Sequence, residues 1–248
     1  MHLQTLLLSL TLTFTIQTTA TPLPFSLFTH SAALTESQLL AIAPTSKSCT
    51  KAPAKGECAT AKQAAKFISK SFDKYKVTSQ AEQAAIISLM AFESEDFKYN
   101  KNHFPGVAGQ GSTYRIFPSP NSFPCNIEIP CNNTHFPYMH ADHVTPARNM
   151  QSPSFNKKYA SSLPEIKDKL PGVSNSPGDL LDLLRSDAAT DFGSGAWFLT
   201  TQCSKSVRNA LAHGSETGWQ RFISDCVGTS VTDERRDYWE RAIEAIGV

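Results

Sequence analysis

Hydrophobic and polar positions along this chain fall mostly at helical spacing. Between Ala59 and Tyr75, residues Ala61, Ala64, Ala65, Ile68 and Phe72 share one side, with Lys62, Lys66 and Lys70 on the other. That pattern predicts an amphipathic helix. The next apolar run differs: Ala84-Ala85-Ile86-Ile87-Ser88-Leu89-Met90-Ala91-Phe92 is apolar on every face and ends on Glu93-Ser94. It is too short to cross a bilayer, so it predicts a helix through a protein core, with Thr78 or Ser79 as its N-cap.

Toward the C-terminus the helical pattern returns. Pro177-Gly178 precedes a short amphipathic segment, Asp179 to Leu184. Phe192 to Leu199 reads as a packed segment whose small residues, Gly193-Ser194-Gly195, allow close approach. Ser204 to Leu211 and Glu216 to Ile223 predict two further short helices. Thr232 caps a last helix, Asp233 to Ile246, with Tyr238, Trp239, Ala242, Ile243 and Ile246 as its stripe. Alternating strand patterns are scarce, so the fold class is mainly α.

Two regions fall outside this pattern. Residues 21–48 mix Pro, Ser and Thr with scattered apolar residues, among them Leu39, Leu40 and Ile42, and read as an irregular arm with room for one short helix. From Ser112 to Ala147 the chain holds six of its fifteen prolines, three of its seven His and two Cys, with no helical period. Loops of this length are uncommon inside compact domains. Two readings stay open: a functional insertion stapled by Cys125 and Cys131, or a retained intron translated in frame.

Composition narrows the class. Residues 1–20, with Leu6-Leu7-Leu8, Leu10, Leu12, Phe14 and Ile16 followed by Thr18-Thr19-Ala20, have the form of a secretory signal peptide. The protein is therefore expected to be secreted and extracellular, with one globular domain over 49–248 and no membrane span. Lys plus Arg number 23 against 22 Asp plus Glu, a net charge of +1. That balance argues against nucleic acid as partner and fits a neutral polymer or glycan. Six Cys in an exported chain predict disulfides: Cys49–Cys58, Cys203–Cys226 and, in the insert, Cys125–Cys131. With His135, His140 and His143, the insert has donors enough for zinc, but the spacing is no recognised metal signature and no metal is expected. Asn132-Asn133-Thr134 makes Asn132 a glycosylation acceptor. No cofactor motif is present: Gly193-Ser194-Gly195 is not a nucleophile elbow, and Gly106, Gly109 and Gly111 fit no phosphate loop. The chain is expected to act as a monomer.

The candidate chemistry centres on Glu93. Core helices rarely carry Glu. In the last turn, near the negative end of the helix dipole and half out of water, a carboxyl is favoured in its neutral form, which a general acid needs. The plainer reading is a helix-terminal Glu paired with Lys98 or Lys101. A second carboxylate would come from Glu95, Asp96, Asp191 or Glu165, and the sequence does not choose among them. Among the aromatic residues, Trp197, Trp219, Trp239, Tyr238, Phe198 and Phe222 read as core. Tyr99 and Tyr159 are better placed for sugar contact.

If the insert is read out, Gly109-Gln110-Gly111 joins Arg148-Asn149-Met150-Gln151. Together with Ala91-Phe92-Glu93-Ser94 and Phe97-Lys98-Tyr99-Asn100, these pieces resemble the lysozyme-like superfamily, in its soluble lytic transglycosylase and goose-type lysozyme branch. The resemblance covers about a quarter of the chain. It implies that Glu93 is the general acid and that Tyr99, Gly111, Met150 and Gln151 line a glycan groove. It further implies cleavage of a β-linked amino-sugar polymer, peptidoglycan first and chitin or chitosan second. The alternative is a non-catalytic glycan-binding or host-interaction protein on the same scaffold. The chain departs from the family at Glu95-Asp96, which follow Glu93-Ser94 where the family has Glu-Ser-Gly. The intron reading expects a spliced transcript that joins the codons of Gly111 and Arg148; sequencing a mature message that retains the segment would remove that reading.

Overall fold

The computed structural model describes residues 33–103 and 151–248. The described residues are mainly helical and contain no strand. They run α1 (Glu36–Ile42), α2 (Ala61–Tyr75), α3 (Gln80–Glu93), α4 (Pro153–Ser161), a one-turn α5 (Leu170–Val173), α6 (Pro177–Arg185), α7 (Ala188–Gln202), α8 (Lys205–Ala212), α9 (Glu216–Arg221) and α10 (Asp233–Ile246). Short 3₁₀ turns at Pro44–Lys47 and Pro164–Lys169, and a π-type turn at Phe222–Val227, complete the set.

Local sequence explains most of the boundaries. Thr60 caps α2 in a reciprocal capping box with Gln63, satisfying two amides that the first turn leaves without helical partners. Ser79, rather than Thr78, caps α3. Ser152, Ser176, Asp187, Ser204, Ser215 and Thr232 do the same for α4, α6, α7, α8, α9 and α10. The predicted C-terminal helix matches the observed one at both ends.

The core helix is α3, buried along nearly its whole length, with α7, α8 and α10 packed around it. Its lack of a polar face is the reason: an all-apolar surface is stable only where other elements cover every side. The amphipathic α2 lays Ala61, Ala64, Ile68 and Phe72 against α1 and α7 and leaves its lysines in water. A second, smaller cluster joins Tyr159 and Ala160 of α4, Leu180 and Leu184 of α6, and Trp197 of α7. Here the small residues of α7 matter: a Cβ on Gly193 would stand 2.6 Å from the Tyr159 hydroxyl, which donates to the Thr190 carbonyl at 2.7 Å.

Of residues 21–48 the structure describes 33–48, and it holds there the one short helix the sequence left room for. Residues 36–47 are ordered helix and 3₁₀ turn, and Leu39 and Ile42 are fully buried in the main core. Burying each contributes about 1.5–3 kcal/mol, so this segment belongs to the domain rather than to an arm. Its short length hid the period. The trace of residues 1–32 lies outside the description, as do residues 104–150, which contain the insert, Cys125, Cys131 and Asn132.

Both described disulfides form as expected. Cys49–Cys58 closes the turn-rich loop before α2, with Cα atoms 5.8 Å apart. Cys203–Cys226 links the end of α7 to the π-type turn across 23 residues. A closed loop of that size restricts the unfolded chain by about 3 kcal/mol. A Cys203→Ser, Cys226→Ser double variant should therefore lose roughly that much stability in denaturant unfolding; an unchanged midpoint would show the staple to be idle.

Candidate functional site

The end of α3 is built by an unusual turn. Ser94 closes the helix, donating its amide to the Met90 carbonyl at 3.1 Å and its hydroxyl to the same oxygen at 2.7 Å. The Ser94 hydroxyl also accepts from the Phe97 amide at 2.8 Å, and its carbonyl accepts from Lys98 at 2.9 Å. Between these anchors Glu95, Asp96 and Phe97 have φ of 45°, 59° and 65°. Three consecutive left-handed residues, none of them glycine, cost about 1–3 kcal/mol each and persist only where surroundings over-determine them.

The surroundings do so here. The Asp96 carboxylate accepts from the Thr45 amide at 2.9 Å, the Thr45 hydroxyl at 2.6 Å and the Tyr238 hydroxyl at 2.7 Å. Phe97 is fully buried, its ring 6.0 Å from that of Phe192, and its carbonyl accepts from the Ala59 amide at 2.9 Å. Asp96 thus reads as a structural acid rather than a solvated helix exit. Burial and the hydrogen bond to Asp96 push the Tyr238 phenol upward.

Glu93 itself does not stand half in water. It is 2% exposed, and its Oε1 accepts from Nη2 of Arg235 at 2.7 Å. Arg235, in the first turn of α10, is also 2% exposed. Its Nη1 donates to the Ser230 carbonyl at 3.3 Å, and its guanidinium lies 4.7 Å from the centroid of the Phe92 ring. The partner is neither Lys98 nor Lys101, which sequence proximity suggested. The ion pair instead crosses 142 residues to tie the end of α3 to the start of α10. Removing two charges from water is costly, and the pair offsets that cost only through close geometry of this kind.

Other predicted residues are distributed around this turn. The Gln151 side-chain amide donates to the Ser194 carbonyl of α7 at 2.8 Å. Since α7 also carries Phe192, which touches Phe97, the start of α4 and the Glu93 turn meet on the same helix. Tyr99 is half-buried with its ring against His103, centroids 5.5 Å apart; burial and the nearby Glu95 and Glu57 push its phenol upward. Tyr159 is a core residue, 1% exposed. Gly111 and Met150 lie outside the described residues.

Of the candidate second carboxylates, Glu165 is at the surface, paired with Lys74 at 2.7 Å, and Asp191 is buried within α7. Glu95 is exposed. Trp197, Trp219, Trp239 and Phe222 are core, as their spacing implied, with Trp219 and Trp239 stacked at 5.9 Å. Phe198 is partly exposed and meets Phe155 edge-on at 5.1 Å. Among the described residues no group of three or more His, Cys, Asp and Glu could hold a metal.

Sequence reasoning missed Arg235 and Glu57. Arg235 had a signal: it lies one turn before Trp239 on the stripe Trp239, Ala242, Ile246, so the position was already inward-facing. Glu57 had none. It is buried beside Cys58, accepting from the Asn100 amide at 3.1 Å and lying 2.8 Å from Nε2 of His103, while Oδ1 of Asn100 accepts from Arg185 at 3.1 Å.

Comparison with known proteins adds one relative. The chain is 38% identical over 193 residues to a Fusarium oxysporum (strain Fo5176) protein named "Bifunctional dioxygenase (DOX)-epoxy alcohol synthase (EAS)". The match takes in 75% of this chain and only 12% of that protein. No family model and no solved structure matches.

Three outcomes test the site. Arg235→Met should cost about 3–5 kcal/mol, because it leaves a buried carboxylate without its cation, while the double variant Arg235→Met, Glu93→Leu should recover most of that loss. Additive losses in a denaturant double-mutant cycle would show the two side chains to be uncoupled. Glu95→Gly should raise stability by up to about 1 kcal/mol by relieving a positive φ at an exposed position. Finally, a phenol with a raised folded value, as at Tyr159 and Tyr238, contributes stability that is complete below the ordinary tyrosine value of about 10 and is lost as pH rises above it. Alkaline melts should decline from about pH 10 upward, and substituting Tyr238 by Phe should flatten that decline.

Proposed function

We propose that the protein is a secreted glycan-binding protein of lysozyme-like architecture in which the acid at the end of the core helix has become structural. The observation that carries this reading is the Glu93–Arg235 pair: both side chains are 2% exposed and bonded to each other at 2.7 Å. A general acid must reach the glycosidic oxygen and hand over a proton. A carboxylate enclosed with a guanidinium is poorly placed to do either. Support for the scaffold comes from the mainly helical fold, from Glu93 ending a buried helix, and from Gln151 docking on α7 beside the Phe97 turn. Tyr99, half-exposed next to that turn, is an aromatic surface open to a sugar ring.

One observation favours the enzymatic alternative, with Glu93 as general acid and Gln151, Met150 and Tyr99 positioning the chain. The three left-handed residues Glu95, Asp96 and Phe97, which begin two residues past Glu93, are backbone strain of the kind that collects at active sites. The dioxygenase and epoxy alcohol synthase activities in the relative's name belong to a protein of which this chain spans 12%, so they lend little to a reading of this segment.

Incubating the purified protein with peptidoglycan, chitin and chitosan, with products identified by mass, separates the two readings. The expected result is retention on one of these insoluble polymers without soluble fragments, and equal retention by Glu93→Gln. Soluble fragments made by the wild type and absent with Glu93→Gln would overturn the non-catalytic reading; anhydro ends would then mark transglycosylation and reducing ends hydrolysis.

A further inference from the structure

The outward face of α2 is a row of lysines. Lys62, Lys66 and Lys70 are exposed at i, i+4 spacing, and Lys74 continues the row one turn further on. Lys74 is engaged by Glu165 at 2.7 Å, but among the described residues no carboxylate lies within ion-pair distance of Lys62, Lys66 or Lys70. Asp73 is the one acid that α2 itself carries. Like charges at this spacing repel along a helix, so the row is unfavourable to the isolated domain. Three surface Arg residues are paired with acids: Arg185 with Asp182, Arg221 with Asp225, and Arg236 with Asp233 and Glu216. Other exposed lysines, among them Lys47, Lys51, Lys157 and Lys205, also lack a carboxylate partner among the described residues, so what marks α2 is the regular i, i+4 row and not the lack of partners.

An aromatic ring lies in the row. Phe67 is half-buried, its inner side stacked on Phe192 with centroids 6.1 Å apart and planes 8° from parallel. The ammonium groups of Lys66 and Lys70 stand 5.8 and 6.0 Å from its centroid. The stack on Phe192 fixes the ring, and two cations flank it.

We propose that this face binds an acidic polysaccharide. A uronic-acid ring would lay its C–H face on Phe67 while its carboxylate, and those of its neighbours in the chain, pair with Lys62, Lys66 and Lys70. Successive lysines advance by about 6 Å along the helix, on the scale of one sugar unit in an extended polymer. A bilayer fits less well. A surface-lying helix needs an apolar face to insert, and that of α2, with Ala61, Ala64, Ala65, Ile68 and Phe72, is already committed to the core. The inference stands on a different surface from Glu93 and does not rest on whether that residue is catalytic.

The test is affinity electrophoresis of the full-length protein in gels containing polygalacturonate, with dextran as neutral control. The wild type should be retarded by polygalacturonate alone, less so as salt rises, because exposed charge pairs are screened. The triple variant Lys62→Gln, Lys66→Gln, Lys70→Gln should bind about tenfold more weakly, as expected for several exposed ion pairs lost together. Phe67→Leu should weaken binding without changing its salt dependence. Circular dichroism and melting should show both variants folded, the triple variant being no less stable because it removes repulsion. The proposal is overturned by equal retardation in dextran, by a folded triple variant that binds as the wild type does, or by stronger association with phosphatidylserine vesicles or single-stranded RNA than with polygalacturonate.

Discussion

The ion pair between Glu93 and Arg235 is the constraint around which the domain is arranged. It joins the last residue of the core helix to the first turn of the last helix, with both charges out of water. A buried pair of this kind adds little net stability over a well-packed apolar contact, but it tolerates no slippage. If α10 moved along α3 by a single turn, two unpaired charges would be left in the core. The register of the two helices is thereby set, and Trp239, Ala242 and Ile246 are delivered to the main core as a consequence.

The left-handed turn that follows Glu93 is held by the same logic. Its positive φ angles are unfavourable, and Asp96 offsets them by gathering Thr45 from the 3₁₀ turn after α1 and Tyr238 from α10. Glu57, Asn100, His103 and Arg185 form a second polar chain just beyond it. One short stretch, residues 93–100, thus connects the 3₁₀ turn after α1, α3, α6 and α10 through charged or polar atoms, and meets α7 through the Phe97 ring. Strain and buried charge in so few residues are uncommon in a purely structural turn, and they keep the enzymatic alternative physically reasonable even though Glu93 is enclosed.

Charge is distributed unevenly between inside and outside. Within the core Glu57, Glu82, Glu93 and Asp96 each accept from specific donors: Glu82 takes two bonds from Arg208, at 2.7 and 3.1 Å, much as Glu93 takes Arg235. On the surface, Lys62, Lys66 and Lys70 of α2, like other lysines, have no carboxylate partner among the described residues. Interior charges must be matched for the domain to fold, whereas unmatched surface charges are tolerated because water solvates them. The asymmetry is why the lysine face reads as an outward-directed surface and the carboxylates as architecture.

The amino-acid sequence by itself determined the mainly α class, the boundaries of α2, α3 and α10, the two described disulfides, and the burial of Trp197, Trp219 and Trp239. Each rests on short-range information, such as a 3.6-residue period, a Ser or Thr at an N-cap, or two cysteines near enough to meet. Only the tertiary structure decided that Glu93 pairs with Arg235. Its partner is 142 residues away, and no local pattern distinguishes a carboxylate facing a groove from one facing a guanidinium. The bounds and burial of the short α1 were undecided for a related reason: seven residues hold too few turns to show a period, and its place in the core follows from packing against α2 and α10. Burial of a charge is a property of everything around it, so a residue's type and spacing can nominate an acid, while its surroundings settle whether that acid meets solvent.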